Sequence, residues 1–397
     1  MNAPATPATL GLPASHAAGS WALCVATCDR GDILRDCVRH ALASSLPPAE
    51  IVIVDASENW QDNRAAITAL VSGQAACPLR YEPARRRSLT VQRNQAVALA
   101  CADVLFMIDD DALLHPDTAA RIMGFYRDDR EGRLAAISCR NTNREDWPQA
   151  AGTPKDFSPA AALLDDGPGP SPRGINLALR RLLMIEAEQR FVGYDPAERR
   201  WQGTAALPAG LFRVRHIPGF ALTLRRRVAL AEPFDEGLVG SCIAEDLDAS
   251  YRFGRHGLLA IAADAPIHHL EAAAGRGKRR INTALALLNV AYFIRRNSSR
   301  QGRDLCRYGW WYLRMALAEL PKDLAGRRWH LPQLRGALLA GRHLPALLRQ
   351  PAAALPGWYP EFQLRLISGA RRPGQPPTKP DTPDAGVKRQ NFPEEIQ

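Results

Sequence analysis

Asp103-Val-Leu-Phe-Met-Ile-Asp-Asp-Asp111 decides how the chain is read. Val104 to Ile108 form an unbroken apolar run that reads as a buried strand. Three carboxylates follow at once. Adjacent anions repel one another unless a cation or hydrogen-bond donors compensate. Open α/β sheets bind ligands beyond the carboxyl ends of their strands. Asp109, Asp110 and Asp111 therefore read as a ligand-binding edge, against the plainer reading of an acidic surface loop. Mg2+ or Mn2+ suits such a place, because both take carboxylates together with substrate phosphates.

Working outward, the same alternation recurs. Residues 21–27 (WALCVAT) are a short apolar run, and 32–42 carry Ile33, Leu34, Cys37, Val38 and Leu42 at helical spacing. Residues 50–55 (EIVIVD) are continuous and β-branched, as a strand buried on both faces requires. A helix through 65–71, a basic connector and a helix over about 90–100 complete the first half. Strands alternating with helices predict a mainly parallel α/β sheet with right-handed crossovers. Beyond it, 141–210 is irregular, with a linker at 167–172 and a candidate helix at 175–189. A strand at 219–224, a helix at 243–255 capped by Gly257 and a strand from 258 follow, and 281–348 is helical throughout. The expected organisation is a ligand-binding half over 21–140, a second half over 141–270 and a helical region over 271–350. Tails at 1–20 and 371–397, rich in Pro, Ala or charge, are expected to be disordered.

The chain has 397 residues, 46% hydrophobic and 23% charged, the balance of a globular protein. Its net charge of +10 is spread over Arg clusters without interleaved aromatics, so nucleic acid is not the expected partner. An anionic small ligand or membrane surface satisfies it equally well. The eight cysteines contain no C-x-x-C pair and read as free thiols of a reducing compartment. No leader is recognisable, and no apolar run reaches the ~18–20 residues of a membrane span. Cytoplasmic residence is the expectation, with at most peripheral contact on the inner face of the membrane.

Asp55 closes the second strand on the same sheet edge and could meet a base or ribose, or merely form a turn. Arg30 and Arg93, after the first strand and at the opening of a helix, could face phosphate oxygens or be structural. Glu245, Asp246 and Asp248 lie in the first turns of a helix, where the dipole favours acids in any case. The functional alternative is a general base for an acceptor hydroxyl, worth roughly 10²–10⁴-fold. His268 or His269 could supply a metal ligand. Arg276, Lys278, Arg279 and Arg280 could close over a diphosphate or form a solvated basic turn.

In order and spacing these segments resemble glycosyltransferase family 2 with the GT-A fold, over roughly 21–269. Thr27-Cys-Asp-Arg30 is similar to the family's Thr-x-Asn-Arg start, with Asp29 in place of Asn. Residues 51–57 resemble its second strand, and Gln92-Arg93-Asn94-Gln95-Ala96 its Ala-Arg-Asn-x-Gly helix start. Asp109-Asp110-Asp111 with Pro116-Asp117 resembles its DxD motif. Phe234-Asp-Glu-Gly-Leu238 and Glu245-Asp246, with Arg252 and Gly257, resemble its acceptor-side motifs.

The resemblance implies inverting, non-processive transfer from a nucleoside-diphospho sugar to a hydroxyl of a saccharide, glycolipid or other acceptor, in polysaccharide or glycolipid synthesis. It implies Asp111 as principal metal ligand, with Asp109 and Asp110 reaching ribose and the metal's water shell, and Asp55 reading the base. Asp246 becomes the base, supported by Glu245. Rival readings are an inactive nucleotide-sugar-binding module and a sugar nucleotidyltransferase. The latter expects a Gly-rich phosphate loop that Thr27-Cys-Asp-Arg-Gly31 does not provide.

Residues 301–350 hold nine Lys or Arg against three acids, with Trp310, Trp311, Leu313 and Leu317 at near-helical spacing. Such a helix suits an anionic membrane surface. The alternative packs both tryptophans inward and leaves the charges to water.

Overall fold

The computed structural model describes residues 19–73, 77–142, 207–240, 242–270 and 279–369. The expected 167–172 linker and 175–189 helix, nearly all of both tails, and Arg276 and Lys278 of the basic cluster lie outside them.

The donor-side half follows the apolar runs. Strand β1 (Trp21–Thr27), helix α1 (Gly31–Leu42), β2 (Glu50–Asp55), α2 (Trp60–Ser72), β3 (Leu79–Pro83), α3 (Leu89–Leu99) and β4 (Val104–Ile108) alternate along the chain. β1, β2 and β4 bury nearly every side chain, as strands covered by helices on both faces must. β3 lies within the stretch read as a basic connector. It is a half-exposed edge strand, so its LRYEP sequence carries no apolar run.

The chain continues through β5 (Ala112–Leu114), α4 (Thr118–Asp128), β6 (Leu134–Asn141), β7 (Leu211–Val214), β8 (Ala221–Arg225), α5 (Arg226–Ala231), α6 (Glu245–Phe253) and β9 (Leu258–His269). The nine strands make one sheet in the order β3-β2-β1-β4-β8-β6-β9-β5, with β7 also on β9. It is parallel from β3 to β4, then mixed: β8 runs antiparallel to both β4 and β6, and β6 is parallel to β9.

Helix α6 is shorter than the 243–255 expected, and its C-cap is Gly254, not Gly257. Gly257 has a different reason. A Cβ there would lie 2.6 Å from the Arg133 carbonyl and 2.8 Å from the Ala135 nitrogen of β6.

Four helices follow, α7 (Arg279–Asn297), α8 (Gln301–Ala325), α9 (Pro332–Arg349) and α10 (Leu355–Ser368). They build a second core from residues such as Leu288, Tyr292, Trp311, Ala337 and Tyr359, which also takes in Leu238, Leu247 and Tyr251 of the preceding half. The helical region thus packs directly under the segment that carries Glu245 and Asp246. None of the described helices is long and apolar enough to cross a membrane.

Candidate active site

Register puts the acids on one edge. β1 and β4 are parallel with Cys24 opposite Met107, so Thr27 and the Asp109–Asp111 turn emerge side by side. β5 then pairs antiparallel with the end of β9, setting Ala112 opposite His269. Asp111 and His269 are thereby brought together across 158 positions of chain, with His269 Nε2 3.2 Å from Asp111 Oδ1. Asp109, Asp111 and His269 offer ligand atoms all within 4.8 Å of one another. The His269 ring stacks on Phe220, with centroids 4.3 Å apart, which fixes its plane. Along the strand His268 is the neighbour on the opposite face, and its Nδ1 lies 2.8 Å from the Thr142 carbonyl.

Two guanidinium groups serve the triplet. Arg93 donates to Asp109 at 2.9 Å, Arg30 to Asp110 at 2.9 Å and to Asp111 at 3.4 Å, and Asp111 also faces His269. Asp110 is turned inward, where the Thr27 hydroxyl donates to it at 2.7 Å. Burial pushes the Asp110 carboxyl up to about 6, although Thr27 and Arg30 pull it down. Asp29 sits in the left-handed region at φ 58°, donates its N–H to Ser57 and accepts from Arg87.

Asp55 is buried and surrounded by donors. Its Oδ1 accepts the Ser57 N–H and hydroxyl, and its Oδ2 accepts Asn63 and the Tyr81 hydroxyl. Asp55-Ala-Ser57 is a local Asx-type turn, which the sequence could have signalled.

Arg93, expected at a phosphate, is itself buried and spans the site. One nitrogen donates to Glu245 Oε1 at 2.5 Å; the other donates to Asp109 and to the Gly219 carbonyl at 3.0 Å. Its guanidinium lies 5.4 Å from the centre of the Phe234 ring. The two acidic groups, 136 positions apart in the chain, are joined by one side chain. Gly219 is a glycine for this reason: a Cβ there would lie 2.7 Å from Glu245 Oε1 and 2.9 Å from an Arg93 nitrogen.

Burial raises the Glu245 carboxyl more than Arg93 lowers it. Its Oε2 is buried without a hydrogen-bond partner among the described residues. Asp246 is the partly exposed neighbour. Burial would raise it as well, but His216 at 3.0 Å, the Leu247 N–H at 2.8 Å and the charge of Arg93 outweigh that and hold it below the usual carboxylate range. His216 was invisible in the sequence, because nothing in its spacing ties it to a residue 30 positions on. Asp248 is spent structurally, on Arg252 and Asn297. In the 234–238 segment, Asp235 pairs with Arg296, and Asn94 clamps Phe234 and Glu236.

The loop entering α6 is strained. Cys242 and Ala244 both have positive φ, 50° and 64°, which costs a non-glycine residue roughly 1–2 kcal/mol each. Neighbouring groups over-determine it. Asn289 donates to the Ile243 carbonyl at 2.6 Å and accepts from the Tyr359 hydroxyl, while Gln363 donates to Gly237 at 2.7 Å. Asp246 is therefore aimed from beneath by α7 and α10, the latter outside the 271–350 region expected from sequence.

Residues 22–184 match the family model of Glycosyl transferase family 2, somewhat under half of the chain. The likeness to that family lies in the half that carries Asp109, Asp110 and Asp111. Three solved structures are similar to the chain. TarS of S. aureus (residues 1–349) is 12% identical, with 88% of this chain and 92% of that one covered and a TM-score of 0.46. Mannosyltransferase PcManGT from Pyrobaculum calidifontis, in complex with GDP-Man and Mn2+, is 18% identical over 88% and 85%, TM-score 0.46. GalNAc-T7 with UDP, GalNAc and Mn2+ is 13% identical over 87% and 57%, TM-score 0.46. No curated protein matches the chain.

Proposed function

We propose that this glycosyltransferase moves a sugar from a nucleoside-diphospho donor to a hydroxyl of a saccharide, glycolipid or related acceptor, by one inverting displacement. The observation that carries the reading is the Arg93 bridge between Asp109 and Glu245. It sets a cation-binding edge on one side of a buried guanidinium and Glu245, the immediate neighbour of the ionised Asp246, on the other, an arrangement that suits in-line displacement at an anomeric carbon.

Two carboxylates and an imidazole fit a divalent ion: the oxygens suit Mg2+ or Mn2+, and the imidazole favours Mn2+. Held by Asp109, Asp111 and His269, such an ion would neutralise charge on the departing diphosphate. The remaining roles belong to the chain itself. Asp246 takes the acceptor hydroxyl's proton, and His216 keeps it ionised and oriented for that purpose. Glu245, fixed by Arg93, supports the base from its buried side. Thr27 and Arg30 brace Asp110, while Asp29 and Asp55 line the donor side, Asp55 beside a base together with Tyr81 and Asn63. No covalent intermediate is needed.

The test is a panel of UDP, GDP and dTDP sugars with and without Mn2+, read first as thermal stabilisation. A donor at 100 times its Kd contributes ~2.7 kcal/mol. Asp111→Ala should lose the Mn2+-dependent part. Asp246→Asn should keep donor binding and lose transfer and donor hydrolysis. Normal turnover in Asp246→Asn removes the base assignment, and the absence of any donor stabilisation removes the reading as a whole.

A further inference from the structure

Helix α8 carries charge and apolar surface on opposite terms from an ordinary surface helix. Leu313, Leu317, Leu320 and Leu324 follow one another at steps of four, three and four residues, continuing the line of Trp310. They form a single ridge along the helix. The ridge faces outward: Leu317 is 67% exposed, and Leu313, Leu324 and Trp310 nearly half. The inward face holds Tyr308 and Trp311, so the two adjacent tryptophans divide between core and surface.

The acids of α8 all point the other way. Asp304 accepts the Ser298 hydroxyl at 2.7 Å, Glu319 takes Lys322 at 2.9 Å, and Asp323 accepts the Gln333 and Leu334 N–H groups; all three are buried. What α8 shows on its surface is leucine, with Arg303 exposed, Lys322 tied to Glu319 and no exposed acid. Helix α9 contains no acid and exposes Arg335, Arg342 and Arg349. A second copy of the same ridge would set like charges against each other. A surface of anionic headgroups over hydrocarbon complements both features: the leucines enter the boundary and the arginines stay with phosphates.

We propose that α8 docks the enzyme peripherally on an anionic lipid bilayer, its ridge lying in the headgroup region. The proposal stands on this surface alone and survives if the transferase reading fails. The 397-residue protein is floated with phosphatidylcholine vesicles, with and without phosphatidylglycerol. Leu313→Ser/Leu317→Ser is compared, with its melting temperature and mass distribution measured alongside. Binding is expected only with phosphatidylglycerol. It should weaken as salt rises and fall by about tenfold for each leucine removed, with the melting temperature unchanged. Failure to bind anionic vesicles overturns the proposal, as does binding indifferent to the double substitution. A concentration-dependent dimer that the substitution dissolves would also overturn it and assign the ridge to a second copy.

Discussion

Replacing Arg93 by Met leaves a chain of similar volume over the Phe234 ring but takes the guanidinium from three acceptors at once. Their shares are unequal. Asp109 is one-third exposed, so water can solvate it, and that pair is worth at most ~1 kcal/mol. The Gly219 carbonyl loses one ordinary hydrogen bond, about 1 kcal/mol. Glu245 is buried, and stripping one partner from a buried pair costs ~3–5 kcal/mol. Glu245 therefore dominates, and it has an escape: it takes up a proton. Its folded carboxyl already lies above the unfolded one and moves further up in the variant. A folded state that keeps a proton longer than the unfolded state loses stability as pH rises. Urea unfolding of Arg93→Met should thus show its smallest deficit below the ordinary carboxylate range and a growing one as pH climbs through the raised Glu245 value. Glu245→Gln added to Arg93→Met removes the carboxyl that must otherwise hold a proton and should recover ~2 kcal/mol or more above the raised Glu245 value of about 8. A deficit under ~1 kcal/mol above that value, or no recovery there in the double variant, would refute the reasoning.

Three further outcomes follow from the same geometry. His216→Ala removes the largest influence lowering the Asp246 carboxyl, so the acid limb of the rate profile should move to higher pH; an unmoved limb denies His216 that role. Gly219→Ala places a methyl group against Arg93 and Glu245 at a position of unstrained backbone, and should cost ~1–3 kcal/mol of stability by urea unfolding. His269→Ala should weaken Mn2+ binding, followed by electron paramagnetic resonance without any substrate, by roughly 10–100-fold or more, and unchanged affinity would take His269 out of the ligand set.

The donor edge was legible because its signals are local. Glu50–Asp55 and Val104–Ile108 are continuous apolar runs ending in acids, and the strand-end rule places Asp55 and Asp109 without further information. What escaped was long-range. His269 could be named as a ligand candidate, but the β5–β9 register that chooses it over His268 depends on a three-residue strand with no periodicity to read. Arg93 matched a motif yet faces Asp109 and Glu245, because its destination depends on a carboxylate 152 positions away. His216 and Gly219 lie in a loop whose sequence looks ordinary until α6 packs against it. Tyr359 and Gln363 lie beyond the helical region expected from sequence, and a hydrogen bond to a distant partner leaves no trace in local composition.

The anchoring of the Gly237–Ile243 loop by α10 has a consequence during synthesis. Gly237 leaves the ribosome 126 residues ahead of Gln363, about 6–25 s at ordinary elongation rates. In that interval β1, β2 and β4 can already pair, while the segment bearing Asp246 has neither Tyr359 nor Gln363 to hold its strained backbone. Under the proposed roles, the nascent chain forms its donor-side strands before the base is held in place. On that reading, the order in which the chain emerges restrains hydrolytic waste of sugar nucleotide by half-made chains.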